Sequence, residues 1–148
     1  MTAQSIQVMA FDFGTTRIGV AIGNTLLKIP HPLDVITGKN KFDKLDKITK
    51  LVEKWQPNLF IVGLPSGSAD KENLLSQIKK FANRLQHRFK YPVEFVNEDY
   101  TSSAASQHLD EQFIYGYVQK SKLDQLAACE ILTRYFITTQ APSLITLS

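Results

Sequence analysis

Residues 5–24 read SIQVMAFDFGTTRIGVAIGN, with one carboxylate, Asp12, inside an otherwise apolar run and an abrupt change to Gly14, Thr15, Thr16 and Arg17 just after it. Residues 5–12 and 17–24 are short, rich in β-forming side chains and joined across a glycine, so the stretch predicts a β-hairpin. A charge in a buried strand is costly unless something answers it. Asp12 therefore requires a partner group or an ion, and the rest of the chain must supply one.

Working outward, a third strand is expected around LDVITG, after a KIPHP segment whose two prolines should interrupt any regular element. From 41 to 55 the apolar residues Phe42, Leu45, Ile48, Leu51, Val52 and Trp55 recur at helical spacing, with lysines opposite them and Pro57 beyond. NLFIVGLP is apolar on both faces, as a central parallel strand is. SGSADKEN is a turn-rich link able to cap a second helix through Ser68 or Asp70, and that helix runs to about Arg88 along the stripe Leu74, Ile78, Phe81, Ala82, Leu85 and Phe89. PVEFVNE is a fifth strand. A short helix over about 102–110, a loop EQFIYGYVQK and a last helix over about 122–137 complete the chain. Two β-α-β steps after antiparallel hairpins imply an α/β protein: a mixed five-stranded sheet, three antiparallel strands then two parallel ones, with helices on both faces. That is the outline of a ribonuclease H-like fold, in one domain over 1–138 with a loose tail at 139–148.

The chain has 148 residues, 43% hydrophobic and 21% charged, enough for one domain with a real core. Its single cysteine, Cys129 in LAACEIL, excludes an intramolecular disulfide and a cysteine zinc cluster, and reads as a core residue. No stretch approaches the roughly 18 apolar residues of a membrane span, and no basic region precedes an apolar run at the start, so a soluble cytoplasmic protein is expected. Net charge is only +3, but the cations cluster: Lys39, Lys41, Lys44, Lys47, Lys50 and Lys54 in one segment, Lys79, Lys80, Arg84, His87, Arg88 and Lys90 in another. Such clusters are the footprint of a phosphate-backbone binder, or simply solvated helix faces.

In a sheet of this kind Asp12 ends a central strand, and Glu98 and Asp99 end a parallel one at the same crevice. Asp124, in the first turn of the last helix, reaches the same place if that helix crosses the sheet. Three such acids repel unless a cation lies between them, and all-oxygen ligands suit Mg²⁺ or Mn²⁺. A pair of these ions is a common device for cutting phosphodiesters. Local alternatives exist: Ser121 and Asp124 also spell a capping box, which is compatible with ligation, and Glu98 with Asp99 could simply open a turn.

These residues resemble the YqgF or RuvX family, whose members are described as Holliday junction resolvases and as pre-16S rRNA nucleases. AFDFGTTRIGVAIG, IVGLP, NEDYTSSAA and KLDQLAACEIL match its signatures in order over about residues 6–137. The resemblance implies a ribonuclease H-like, metal-dependent nuclease with Asp12, Glu98 and Asp124 at the three acidic positions. Two departures stand out: Asp99 and Asn97 replace the Arg and Asp that flank the family's Glu, and SGSADKEN replaces its usual loop. Thr15, Arg17, Lys41, Lys44, Arg84 and Lys122 are candidate nucleic-acid contacts. Thr15 and Thr16 serve equally as turn residues, Arg17 as a surface residue, and Thr101 and Ser102 as N-caps.

DFG also occurs in protein kinases, but their other motifs are missing here. Actin-like and sugar-kinase ATPases share a similar phosphate loop, yet they close on ATP between two such domains, and this chain has the length of one. The expected partner is nucleic acid; the resemblance implies first a structured RNA precursor within ribosomal precursor particles, second branched DNA as in junction resolution, by a monomer or a homodimer. A non-catalytic binding module with a degenerate site is the alternative of another class.

Overall fold

The computed structural model describes residues 5–65, 72–97 and 126–138. Strands β1 (Gln7–Phe13), β2 (Ile18–Asn24) and β3 (His31–Ile36) are followed by helix α1 (Lys41–Trp55), β4 (Leu59–Leu64), α2 (Glu72–Phe89) and β5 (Val93–Asn97). A further helix, α3, occupies 126–138. The strands form one sheet in the order β3-β2-β1-β4-β5, with β1 antiparallel to β2 and parallel to β4, and β4 parallel to β5. This is the mixed sheet expected from the sequence, with the Asp12 strand at its centre. The link at 66–71, the expected short helix and loop over 102–120, the start of the last helix and the tail at 139–148 lie outside the described residues.

One expectation fails in an instructive way. The prolines of KIPHP do not exclude regular structure, since β3 begins at His31 and contains Pro32. β3 lies at the sheet edge, and its pairing with β2 slips between Val20, opposite Asp34, and Ala21, opposite Pro32. An edge position and a bulge are the two places where a strand tolerates a residue with no N–H to give.

The period of two along β1 divides the core. Met9 and Phe11 point to the face covered by α1 and α2, together with Ile18, Val20, Phe60, Val62, Leu45, Ile48 and Phe81. Val8 and Ala10 point to the face covered by α3, with Ala21, Leu59, Ile61, Val96, Ala128, Ile131 and Leu132. The first face is built from aromatics: Phe11 lies 5.6 Å from Phe60 and 5.5 Å from Phe81 between ring centroids. On the second, the small residues Ala10, Ala21 and Gly23 of the sheet face larger ones of α3, among them Leu132, Tyr135 and Phe136. A Cβ on Gly23 would meet Leu132 at 2.9 Å and the Phe136 ring at 3.0 Å.

Helix α1 is bounded as its sequence suggests. The Asn40 side chain accepts the Asp43 N–H at 2.9 Å, and at the other end Gln56, left-handed at φ 48°, donates its N–H to the Val52 carbonyl at 2.8 Å. Its apolar stripe has one defector: Phe42, expected on the buried side, is 65% exposed. It stands in the first turn of the helix.

Candidate active-site edge and basic cleft

The functional features gather where β1 ends and turns into β2. Gly14 donates its N–H to the Arg17 carbonyl at 2.9 Å, closing the turn, and a Cβ on Gly14 would stand 2.7 Å from that oxygen. Any larger residue would push the turn open, so glycine is required for the chain to reverse directly after Asp12 and Phe13.

Asp12 continues the Val8, Ala10 row and therefore belongs to the α3 face, where it is half-buried. Its partner across the ladder on β2 is Gly19, and on β4 the residue after Val62, which pairs with Phe11, is Gly63. On that row of the sheet the flanking strands contribute no side chain beside the carboxylate. Gly63 in turn pairs with Val96 of β5, and β5 ends at Asn97. Asp12 thus stands at the edge formed by the C-terminal ends of β1, β4 and β5. Glu98, Asp99, Asp124 and Lys122 lie outside the described residues, so Asp12 is the one member of the expected acidic trio whose position is described. Among the described residues, no three His, Cys, Asp or Glu side chains gather as a metal site.

Phe13 belongs to the opposite face and borders a cleft of about 570 Å³. Thr15 and Thr16 of the turn, Gly38 to Lys41, Lys44 of α1 and Gln77, Lys80 and Arg84 of α2 wall it in. Four of the expected nucleic-acid contacts, Thr15, Lys41, Lys44 and Arg84, therefore converge in one place; Arg17 is half-buried at the end of the turn, outside this lining. The Lys44 ammonium donates to the Thr15 carbonyl at 2.9 Å, tying α1 to the turn. The structure adds Lys39 and Lys80, so five cations line the cleft, and its described lining holds no carboxylate. The sequence signal for Lys80 was the basic run on α2; that it would face the α1 lysines depends on the packing of two helices and is not a local property.

Cys129 is partly buried against the α3-side core, and burial, with Glu130 adding to it, pushes its thiol up to about 11. That is an inert core thiol. No helix among the described residues is long and apolar enough to cross a membrane.

Several known proteins are similar to this chain. A protein of Methylobacillus flagellatus named "Putative pre-16S rRNA nuclease" is 48% identical over 130 residues, 87% of this chain and 89% of that protein. One of the same name from Nitrosomonas europaea is 41% identical over 143 residues, 96% of this chain and 97% of that protein. Among solved structures, T. thermophilus RuvC in complex with a Holliday junction substrate aligns with a TM-score of 0.58 at 17% identity, covering 91% of this chain and 96% of that one. The Fowlpox virus resolvase bound to Holliday junction DNA aligns at 0.55 and 14% identity, covering 91% and 99%. At such identities the structural likeness establishes the fold, the ribonuclease H-like one. The family model described as "RuvX: Holliday junction resolvase" matches residues 6–138. With the relatives above 40% identity, that match over nearly the whole described fold shows that the chain belongs to the RuvX family of nucleases.

Proposed function

We propose that this chain is a divalent-metal-dependent nuclease that processes the 5′ end of pre-16S ribosomal RNA, with Asp12, Glu98 and Asp124 as its metal-holding acids. The observation that carries the reading is Asp12 itself: a carboxylate at the C-terminal end of the central strand, on the α3 face, between glycine-bearing rows of β2 and β4. A carboxylate so placed suits a hard cation bound through oxygen.

The geometry around it supports the other two acids. Glu98 follows β5 by one residue, and two residues before it Val96 belongs to the α3 face; β1 and β5 are two strand spacings apart, about 10 Å. Leu132 of α3 lies against Gly23, which pairs with Val8, and Asp124 precedes Leu132 by eight positions in the chain.

Divalent ions held there, two in our reading and Mg²⁺ or Mn²⁺ by the donor set, would supply water activation and stabilisation of the leaving oxygen. The chain's own part is to hold the acids on rigid strand and helix ends and to present cations to the phosphates. We further place the protein in the cytoplasm, as one domain over 1–138, acting on ribosomal precursor particles as a monomer or homodimer.

Junction resolution is the second reading. It is favoured by the family's description and by the aligned resolvases bound to junction DNA. An RNA carrying a ribosomal 5′ leader and a four-way DNA junction, incubated in parallel with Mn²⁺ or Mg²⁺, separate the two. Preferential cutting of the leader supports the proposal, paired nicks at the junction support the second reading, and salt-sensitive binding without cutting of either would overturn both in favour of a binding module.

A further inference from the structure

The basic cleft does not end at the β1–β2 turn. Leu45 and Arg84 belong both to its wall and to a second hollow between α1 and α2, lined also by Phe42, Asn83, His87 and Arg88. The two hollows adjoin along these shared residues, with cations in both linings and the ring of Phe42 in the lining of the second. Phe42 is 65% exposed, and the Lys41 ammonium lies 5.4 Å from its ring centroid. Arg88 is held toward α1, donating to Asp46 at 3.3 Å and to the Thr49 hydroxyl at 3.1 Å. The groove thus has a fixed outer end.

A helix gains nothing in folding by leaving a phenylalanine in water, and the aromatic core of this face is already closed by Phe11, Phe60 and Phe81. Cations tracking a groove together with an exposed ring are what single-stranded nucleic acid requires: charge for the backbone, and a π-face for an unpaired base. A duplex would keep its bases stacked and leave the ring without a role.

We propose that the α1–α2 groove is a track for single-stranded nucleic acid, with backbone phosphates among Lys39, Lys41, Lys44, Lys80 and Arg84 and one base stacked on Phe42. This rests on the nuclease reading above but concerns the face opposite Asp12. A strand passing the β1–β2 turn connects the two, so the groove holds a single-stranded segment flanking the site of cleavage.

Binding without divalent metal tests this independently of catalysis. A fluorescent single-stranded RNA 12-mer and the same sequence as a duplex are titrated in EDTA against the wild-type protein, Phe42→Ala, the double variant Lys80→Gln with Arg84→Gln, and Lys54→Gln as a distant surface control. Phe42→Ala should weaken single-strand binding about 5- to 100-fold with an unchanged salt slope. The double variant should lower the slope of log affinity against log salt by about 1.4. Lys54→Gln should change neither, and circular dichroism melts verify that each variant folds.

Unchanged affinity and slope in the groove variants would overturn the proposal. So would a duplex bound as tightly as the single strand, or full competition by a mononucleotide at equal nucleotide concentration. If Asp12→Asn abolishes cleavage while the groove variants bind normally, the nuclease reading stands and the track falls; the reverse pattern separates them the other way.

Discussion

The two faces of the sheet are built on different principles, and β1 serves both. Toward α1 and α2 it presents Met9, Phe11 and Phe13, large side chains packed in the aromatic core, the last of them bordering the cleft. Toward α3 it presents Val8 and Ala10, and then a carboxylate, Asp12. One end of one strand therefore carries an acid on one side and borders five cations on the other. The alternation that makes a strand amphipathic here separates the edge proposed to hold metal from the groove proposed to hold phosphates.

If the aromatic face depends on volume, Phe11→Ala should cost about 3–5 kcal/mol, measured by urea denaturation, because it removes a ring packed between Phe60 and Phe81. A cost below about 1 kcal/mol would mean that the face collapses freely around the lost ring. The α3 face should fail in the opposite sense, by crowding. Gly23→Ala places a methyl against Leu132 and Phe136 and should cost about 1–3 kcal/mol. Leu132→Ala in the same chain should recover part of that loss, giving a coupling the two singles do not add to.

The smallest effect concerns Cys129. With its thiol raised to about 11, the thiolate is present below that value only as a minor species, roughly 0.1% at pH 8. Reaction with a disulfide reagent should be slow in the folded protein, climb about tenfold per pH unit toward pH 11, and become fast in denaturant. Rapid reaction at neutral pH in the folded state would show that α3 does not cover this face as described.

Much of this architecture was legible from local pattern. The helix over 41–55, the continuous apolar strand at 59–64 and the hairpin around Gly14 follow from period, composition and turn chemistry. Pro32 misleads because whether a strand lies at an edge is a property of the sheet, not of the strand. Phe42 misleads because periodicity assigns a side of the helix but not whether a neighbour covers that side in the first turn. The lysines were visible as two runs, while their convergence at one cleft depends on the packing of α1 against α2. Of the acids, Asp12 was singled out by the cost of its burial; that Gly19 and Gly63 flank it on the neighbouring strands carries no signal until the strand register is known.

The central claim is that the carboxylate at the end of β1 does the cutting and the opposite face does the holding. The most direct test is the single-turnover rate of cleavage of leader RNA at saturating Mn²⁺, wild type against Asp12→Asn, with binding measured in EDTA on the same samples. The account predicts a loss of more than about a thousandfold in rate, about 4 kcal/mol of barrier, with affinity within about twofold of wild type. Equal rates for the two proteins would contradict it, as would a loss of cleavage fully explained by a loss of binding.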